Sequence, residues 1–172
     1  MNLNVFTFFY RGFNRSKGKP SELTLKFDLE AVKHHLRLRN KQMIVYGQSL
    51  GTGSALYYGN LYKMSPFIIL ENPFSKLINH SNNILKRALI FFTCIDRWDN
   101  IKEIEKLNSQ ILFLVSTKDK VVISKNHEIL VKSHNKGENK IIKFEGVGHF
   151  NARKAPDFKP TIENFINGIK NK

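Results

Sequence analysis

The stretch that most constrains this chain is Gly47-Gln48-Ser49-Leu50-Gly51, a G-x-S-x-G pattern between an apolar run and a helical segment. Residues 43–46 have strand character, and the chain from Leu50 onward predicts a helix. A sharp strand-to-helix turn holds a serine hydroxyl exposed, which a weak nucleophile requires. We expect a side chain at Gly47 or Gly51 to collide with the neighbouring strand or helix. The competing interpretation is a glycine-rich loop with an incidental serine.

Composition bounds the class of protein. A chain of 172 residues predicts one domain, 1–172, with a proper core. The net charge of +14 invites a nucleic-acid interpretation, but the 28 basic residues are spread along the chain without a recognition motif, so we expect no specific nucleic-acid partner. Weak, salt-sensitive adhesion to polyanions stays open.

The single cysteine, Cys94, favours a reducing, cytoplasmic compartment. The N-terminus lacks a basic n-region, and the apolar run 88–95 is short of the ~20 residues that span a bilayer, so the sequence predicts a soluble chain.

Hydrophobic patterning predicts alternating strands and helices. Strands are predicted at 5–9, 43–46, 66–70, 111–115 and 140–144, and helices at 21–38, 50–62, 101–107, 127–133 and 160–169. This alternation is typical of an α/β fold, a mostly parallel sheet with helices on both faces. Residues 74–98 are mixed in character and predict a covering segment or small cap. Its apolar residues Leu89, Ile90, Phe91 and Phe92 favour core packing over an acyl pocket.

Three residues with complementary chemistry follow predicted strands. Ser49 follows the second strand, Asp119 the fourth and His149 the fifth, and parallel strands bring such ends to one edge of a sheet. In this order they match the Ser–acid–His triad of α/β-hydrolases. His149 would take the proton of Ser49, Asp119 would orient the imidazole, and the backbone N–H of Leu50 would stabilise an oxyanion. No metal or cofactor is required.

Each member of this set has a plainer interpretation. An aspartate after a strand is often a loop cap, and a lone loop histidine is more often a surface residue than a catalyst. Glu71 also follows a strand and is the alternative acid. His34 and His35 are predicted on a helix surface, and histidines 80, 127 and 134 are left outside the site. The chain order and the shared strand ends favour the triad.

Five motifs along the chain resemble one group of proteins. They are 10–13 (Tyr-Arg-Gly-Phe) with 16–22 (Ser-Lys-Gly-Lys-Pro-Ser-Glu), 46–53 around Ser49, 70–74 (Leu-Glu-Asn-Pro-Phe), 96–101 (Asp-Arg-Trp-Asp-Asn-Ile) and 146–151 (Gly-Val-Gly-His-Phe-Asn). Together they resemble the abhydrolase-domain serine hydrolases, in the bud-emergence-suppressor-like and lysophospholipase-like branch, which is also related to protein depalmitoylases. The resemblance runs from Val5 to the end of the chain.

The resemblance implies an α/β-hydrolase fold that is N-terminally truncated. Val5–Phe9 would be the fourth strand of the family sheet. Three earlier strands and a His-Gly-rich loop, which supplies the second oxyanion donor in the family, have no counterpart in this sequence. A missing donor costs about 2.7–4 kcal/mol of transition-state stabilisation.

The resemblance also implies the activity and the partners. We expect a serine hydrolase that cleaves a small acyl ester, thioester or lipid through an acyl-enzyme on Ser49, and relatives leave peripheral membrane contact open. The alternative is a truncated or split-gene remnant with little or no activity. A third hypothesis is a basic binding protein that uses the fold as a scaffold. The substrate and the oligomeric state are not specified by the motifs.

Overall fold

The computed structural model describes residues 3–36, 43–62, 66–77 and 97–170. These ranges contain helices and strands that alternate along the chain. In order they are α1 (Glu22–Leu36), β1 (Ile44–Gln48), α2 (Gly51–Asn60), β2 (Phe67–Glu71), α3 (Asn100–Ile104), β3 (Ile111–Ser116), α4 (Ser124–Ser133), β4 (Asn139–Phe144), a 3-10 turn (Ala152–Lys154) and α5 (Phe158–Lys170).

The four strands form one parallel sheet in the order β1-β2-β3-β4, which is also their order in the chain. The register places Gln48 opposite Glu71, and Ser116 opposite Phe144. Because all four strands run the same way, their carboxyl ends lie along one edge of the sheet. The segments that follow the strands therefore share that edge.

Helices cover both faces of the sheet. Alternate residues of β3 belong to two separate cores: Phe113 packs with Leu56 of α2 and Leu130 of α4, whereas Leu114 packs with Phe165 of α5. All six residues of β3 are buried, as expected for a strand that is covered on both sides. The predicted α/β architecture, a parallel sheet with helices on both faces, is confirmed.

The strand predicted at Val5–Phe9 is wrong. These residues form no strand, and Val5 and Phe9 are 83% and 62% exposed. The segment lies along α1 instead, where the Phe6 ring contacts His35 and the Arg11 guanidinium pairs with Asp28. An apolar run becomes a strand only when its backbone finds a ladder partner, and among the described residues β1 pairs with β2 alone.

Most of the predicted covering segment, including Leu89, Ile90, Phe91 and Phe92, lies outside the described residues. Trp98, at its end, is buried against Gly53 of α2, where an added Cβ would meet the indole at 2.6 Å. Within the described ranges, no helix combines the length and the apolar character needed to cross a membrane.

Candidate active site

Ser49 lies in a tight turn between β1 and α2. Its φ is 50°, a left-handed conformation that is uncommon for a residue with a side chain. The Ser49 N–H donates to the Glu71 carbonyl at 2.9 Å, and its own carbonyl accepts from the N–H and the hydroxyl of Thr52 at 2.9 and 2.6 Å. The turn is thus fixed on one side by β2 and on the other by α2.

The two glycines that flank Ser49 have different roles. A Cβ at Gly47 would lie 2.4 Å from the Gly51 carbonyl oxygen and 2.8 Å from the Ala55 Cβ, so this position requires glycine. A Cβ at Gly51 would meet nothing within 4 Å. The expectation of a collision is therefore wrong for Gly51, whose side-chain position is open while its carbonyl crowds Gly47.

Asp119 belongs to the loop after β3, and the loop fixes its carboxylate. Oδ1 accepts the backbone N–H groups of Val121 and Val122 at 2.7 and 2.8 Å. This local bonding is that of an Asx-turn, the plainer interpretation of such an aspartate. The Asx-turn uses only Oδ1 of Asp119, whereas Oδ2 is directed to His149.

His149 lies in the loop after β4. Gly146 has a φ of 72° and donates its N–H to the Thr117 hydroxyl at 3.0 Å, which ties this loop to the one that carries the acid. The carbonyl of His149 accepts from Nδ2 of Asn72 at 2.8 Å. Two neighbouring loops therefore hold the backbone on both sides of the imidazole.

The structure brings the three predicted side chains together in one chain of hydrogen bonds. His149 Nδ1 lies 2.6 Å from Asp119 Oδ2, and His149 Nε2 lies 2.8 Å from Ser49 Oγ. The side chains of Asp119 and His149 are 2% and 3% exposed. A carboxylate only accepts, so Nδ1–H donates to Asp119 and the neutral ring leaves Nε2 to accept the Ser49 hydroxyl proton. The order Ser–His–Asp is that required of a nucleophile, a base and an orienting acid.

Leu50, the predicted oxyanion donor, directly precedes α2. It has helical dihedrals, φ −54° and ψ −36°. Backbone N–H groups at a helix N-terminus have no intrahelical acceptor, and the helix dipole favours negative charge at this end. The position suits an N–H that binds an oxyanion formed next to Ser49.

Glu71, the alternative acid, binds other partners. Its side chain is fully buried, and its carboxylate accepts from the Tyr46 hydroxyl and from Gln48 Nε2, the latter at 2.9 Å. Arg153 Nε lies 3.5 Å from the same carboxylate. Burial of the Tyr46 hydroxyl, together with its hydrogen bond to Glu71, raises the pKa of Tyr46, so the phenol stays protonated as a donor.

His127, which the sequence interpretation left out, is buried beside the triad. Neither of its ring nitrogens has a hydrogen-bond partner in the structure. Burial lowers the pKa of His127 to about 4, although the nearby Asp119 carboxylate opposes this shift. Its place in an amphipathic helix gave no sign of this, because helical spacing does not show what covers a face. Among the described residues no cluster of three His, Cys, Asp or Glu side chains could hold a metal ion.

The chain is similar in sequence to α/β-hydrolase domain proteins. It is 28% identical over 170 residues to the α/β-hydrolase domain-containing protein 17B of Homo sapiens, covering 96% of this chain and 57% of the human protein. It is 31% identical to an uncharacterized membrane protein of Saccharomyces cerevisiae, covering 95% and 61%, and 34% identical to protein bem46 of Schizosaccharomyces pombe, covering 71% and 44%. The chain thus spans less than two thirds of the length of these relatives. No protein-family model matches it.

Solved structures show the same fold. A bromoperoxidase from Bacillus anthracis superposes with a TM-score of 0.67 at 16% identity, covering 92% of this chain and 79% of that one. A putative α/β-hydrolase from Agrobacterium tumefaciens superposes with a TM-score of 0.66 at 18% identity, covering 94% and 68%. At these identities the similarity shows the α/β-hydrolase fold alone.

Proposed function

We propose that this chain, a homologue of the α/β-hydrolase domain-containing 17B and bem46 proteins with the α/β-hydrolase fold, is a serine hydrolase of ester or thioester substrates. One observation carries the proposal: the unbroken hydrogen-bond chain from Asp119 through His149 to Ser49. A buried imidazole that a carboxylate orients is the general base that activates a serine hydroxyl as a nucleophile.

The proposed reaction runs through an acyl-enzyme. Ser49 Oγ attacks the substrate carbonyl carbon while His149 Nε2 takes its proton, and the oxygen of the tetrahedral intermediate accepts the N–H of Leu50. Collapse breaks the bond to the leaving alcohol or thiol, which receives the proton from His149. Water then gives a proton to His149 and attacks the acyl carbon. Collapse of this second tetrahedral intermediate breaks the bond to Ser49 Oγ, which receives the proton from His149, and the acid is released.

Asp119 serves this cycle in two ways. Its buried carboxylate fixes the Nδ1–H tautomer, and it stabilises the imidazolium that forms after proton transfer. Because Oδ1 is held by two backbone N–H groups, the carboxylate does not rotate away when the ring becomes charged.

Apolar side chains beside the triad support an acyl substrate. Phe150 follows His149, and its exposed ring contacts the imidazole edge-on with centroids 4.6 Å apart. Leu50 is also exposed, directly after the nucleophile. A small acyl ester, a thioester or a lipid would place its hydrocarbon part on these two side chains. A lipid substrate would bring the chain to a membrane surface, and we propose a cytoplasmic location with peripheral membrane contact.

The second candidate is a homologue with little or no activity. The observation that favours this candidate is that the sequence identifies a single donor for the oxyanion, the N–H of Leu50. Removing one oxyanion donor lowers kcat by about 10²–10³ in serine hydrolases. Labelling of Ser49 without turnover would support this candidate.

The test is labelling with a fluorophosphonate probe, read by mass spectrometry, together with hydrolysis of a p-nitrophenyl ester and an acyl thioester. We expect Ser49 to be labelled and both substrates to be turned over. Ser49→Ala should abolish both signals, while Ser54→Ala, which changes a buried serine of α2 without a hydrogen-bond partner, should not. Absence of labelling in folded protein would overturn the proposal.

A further inference from the structure

Glu71 is a buried carboxylate that the proposed reaction does not use. Its side chain has no exposed surface, and a carboxylate in such a place is costly unless it is paired and hydrogen-bonded. Both of its oxygens are bound: Oε1 accepts from Gln48 Nε2 at 2.9 Å, and Oε2 accepts from the Tyr46 hydroxyl. Arg153 supplies the positive charge.

The partners of Glu71 come from two separate segments. Tyr46 and Gln48 belong to β1, on the same face of the sheet as Glu71, whose register partner is Gln48. Arg153 belongs to the 3-10 turn that follows the His149 loop. Its Nη2 donates to Gln48 Oε1 at 3.0 Å and to the Tyr46 hydroxyl oxygen at 3.4 Å, and its Nε lies 3.5 Å from Glu71. The four side chains close a ring of hydrogen bonds.

This ring connects the two segments that carry Ser49 and His149. Gln48 directly precedes Ser49, and the carbonyl of Glu71 accepts the Ser49 N–H at 2.9 Å. Arg153 lies in the 3-10 turn that comes shortly after His149 in the chain and begins at the buried Ala152. A bridge from Glu71 to Arg153 therefore joins the segment that carries Ser49 to the segment that carries His149.

We propose that Glu71 and Arg153 are positioning residues that fix the distance between Ser49 Oγ and His149 Nε2. The inference rests on the proposed serine-hydrolase function. Neither side chain touches the reacting atoms. They act through Gln48 and through the turn after His149.

The geometry explains why an arginine serves here. Its planar fork reaches Gln48 with one nitrogen and Glu71 with another, whereas a lysine ammonium offers a single point of attachment. The Arg153 side chain is 57% exposed, so its loss leaves no cavity in a core. Arg153→Met removes no buried volume, but it leaves the Glu71 carboxylate without its countercharge, so its stability is measured beside its reactivity.

The experiment measures inactivation of the full chain by a fluorophosphonate, separating the rate of bond formation at Ser49 (kinact) from reversible binding (KI). The variants are Arg153→Met, Arg153→Lys, Glu71→Gln and the double variant that combines Arg153→Met with Glu71→Gln. A matched control is Arg11→Met, which breaks the arginine–carboxylate pair with Asp28 on α1, outside the ring. Each variant is checked for folding by circular dichroism and thermal unfolding.

We expect kinact of Arg153→Met to fall about 10- to 100-fold with KI unchanged, since an ångström of misplacement costs about that much in rate. Arg153→Lys should recover part of the loss, because it restores the charge without the second attachment. Arg11→Met should keep the wild-type kinact even if its thermal stability falls. Glu71→Gln, where it folds, should not add to the loss in the Arg153→Met background.

Two results separate the failure of this inference from that of the proposed function. If wild-type Ser49 is labelled and Arg153→Met reacts with the wild-type kinact, the positioning role is wrong and the hydrolase proposal stands. If Arg153→Met and Arg11→Met lose kinact alike, in proportion to their loss of stability, the ring is structural only and the inference is likewise overturned. If wild-type Ser49 is not labelled, both proposals fail.

Discussion

Ser49 and Asn72 follow directly on two neighbouring parallel strands, and both adopt left-handed backbone conformations, with φ of 50° and 48°. Such a conformation costs about 1–2 kcal/mol for a residue with a Cβ. At Ser49 it forms the tight turn between β1 and α2 that carries the proposed nucleophile. At Asn72 it places a buried amide that donates to the His149 carbonyl at 2.8 Å and to the Ser116 hydroxyl at 3.1 Å. Asn72 thereby joins the end of β2 to the end of β3 and to the His149 loop.

Replacing Asn72 should destabilise the protein. Asn72→Ala removes these bonds and the acceptor of the Ser116 N–H, and it keeps a Cβ at positive φ. We expect the free energy of unfolding to fall by about 3 kcal/mol in urea denaturation. Asn72→Gly loses the same bonds without the conformational cost, so it should be about 1 kcal/mol more stable than Asn72→Ala. Equal stability of the two variants would contradict a strained backbone at this position.

Replacing Asp119 should separate activity from stability. Asp119→Asn keeps an oxygen that accepts the Val121 and Val122 N–H groups, but its amide no longer fixes the Nδ1–H tautomer of His149. We expect thermal stability near that of the wild type and a fall of about 10⁴ in kcat. Asp119→Ala should lose both stability and activity. Ester hydrolysis and thermal unfolding, measured on the same samples, check this, and full activity of Asp119→Asn would remove Asp119 from the site.

The two glycines that flank Ser49 should respond differently to alanine. Gly47→Ala forces a Cβ to within 2.4 Å of the Gly51 carbonyl oxygen, so we expect a loss of about 1–3 kcal/mol in the free energy of unfolding. Gly51→Ala adds a methyl group in open space at the start of α2 and should be neutral or stabilise by up to about 1 kcal/mol. Urea denaturation of both variants measures the difference, and a destabilised Gly51→Ala would contradict the open position.

His127 should make stability depend on pH. Its pKa is lowered to about 4 in the folded protein, against about 6.5 in an unfolded chain. Between these values the unfolded state binds the proton and the folded state does not, so stability falls as pH drops from 6.5 to 4. At about 1.4 kcal/mol per pKa unit the loss is at most about 3.5 kcal/mol.

Substituting His127 tests this assignment. The wild-type minus His127→Leu difference in unfolding free energy should decrease as pH falls through this window, since carboxylate titrations are common to both proteins and cancel. His34→Gln, which changes an exposed histidine of α1, is the matched control for the loss of a histidine. A difference that is independent of pH would show that His127 does not titrate as the structure indicates.

Sequence patterns predicted the sheet well where the signal is local. The predicted bounds of β1 to β4 lie within a few residues of the observed ones, because each strand contains consecutive apolar residues and is flanked by turn residues. The run Val5–Phe9 has the same character but forms no strand. Whether a backbone finds a ladder partner depends on residues distant in the chain, and a local pattern does not contain that information.

Within the candidate site, too, local sequence patterns locate some residues and not others. Ser49, Asp119 and His149 could be located because each follows a strand, and a parallel sheet brings such ends together. The ring around Glu71 was missed because Gln48 and Arg153 lie 105 residues apart and no strand end marks the arginine. Gly51 was misjudged because its spacing from Ser49 does not show which way its missing side chain would point.

The order of the strands has a consequence for synthesis on the ribosome. Each strand of the sheet docks beside the one made just before it, so the sheet can grow one strand at a time as the chain emerges. Ser49 and His149 are separated by 100 residues, which at 5–20 residues per second is about 5–20 s of translation. The nascent protein therefore carries the turn with Ser49 for seconds before His149 is made, and the proposed reactivity would begin only when β4 has joined the sheet.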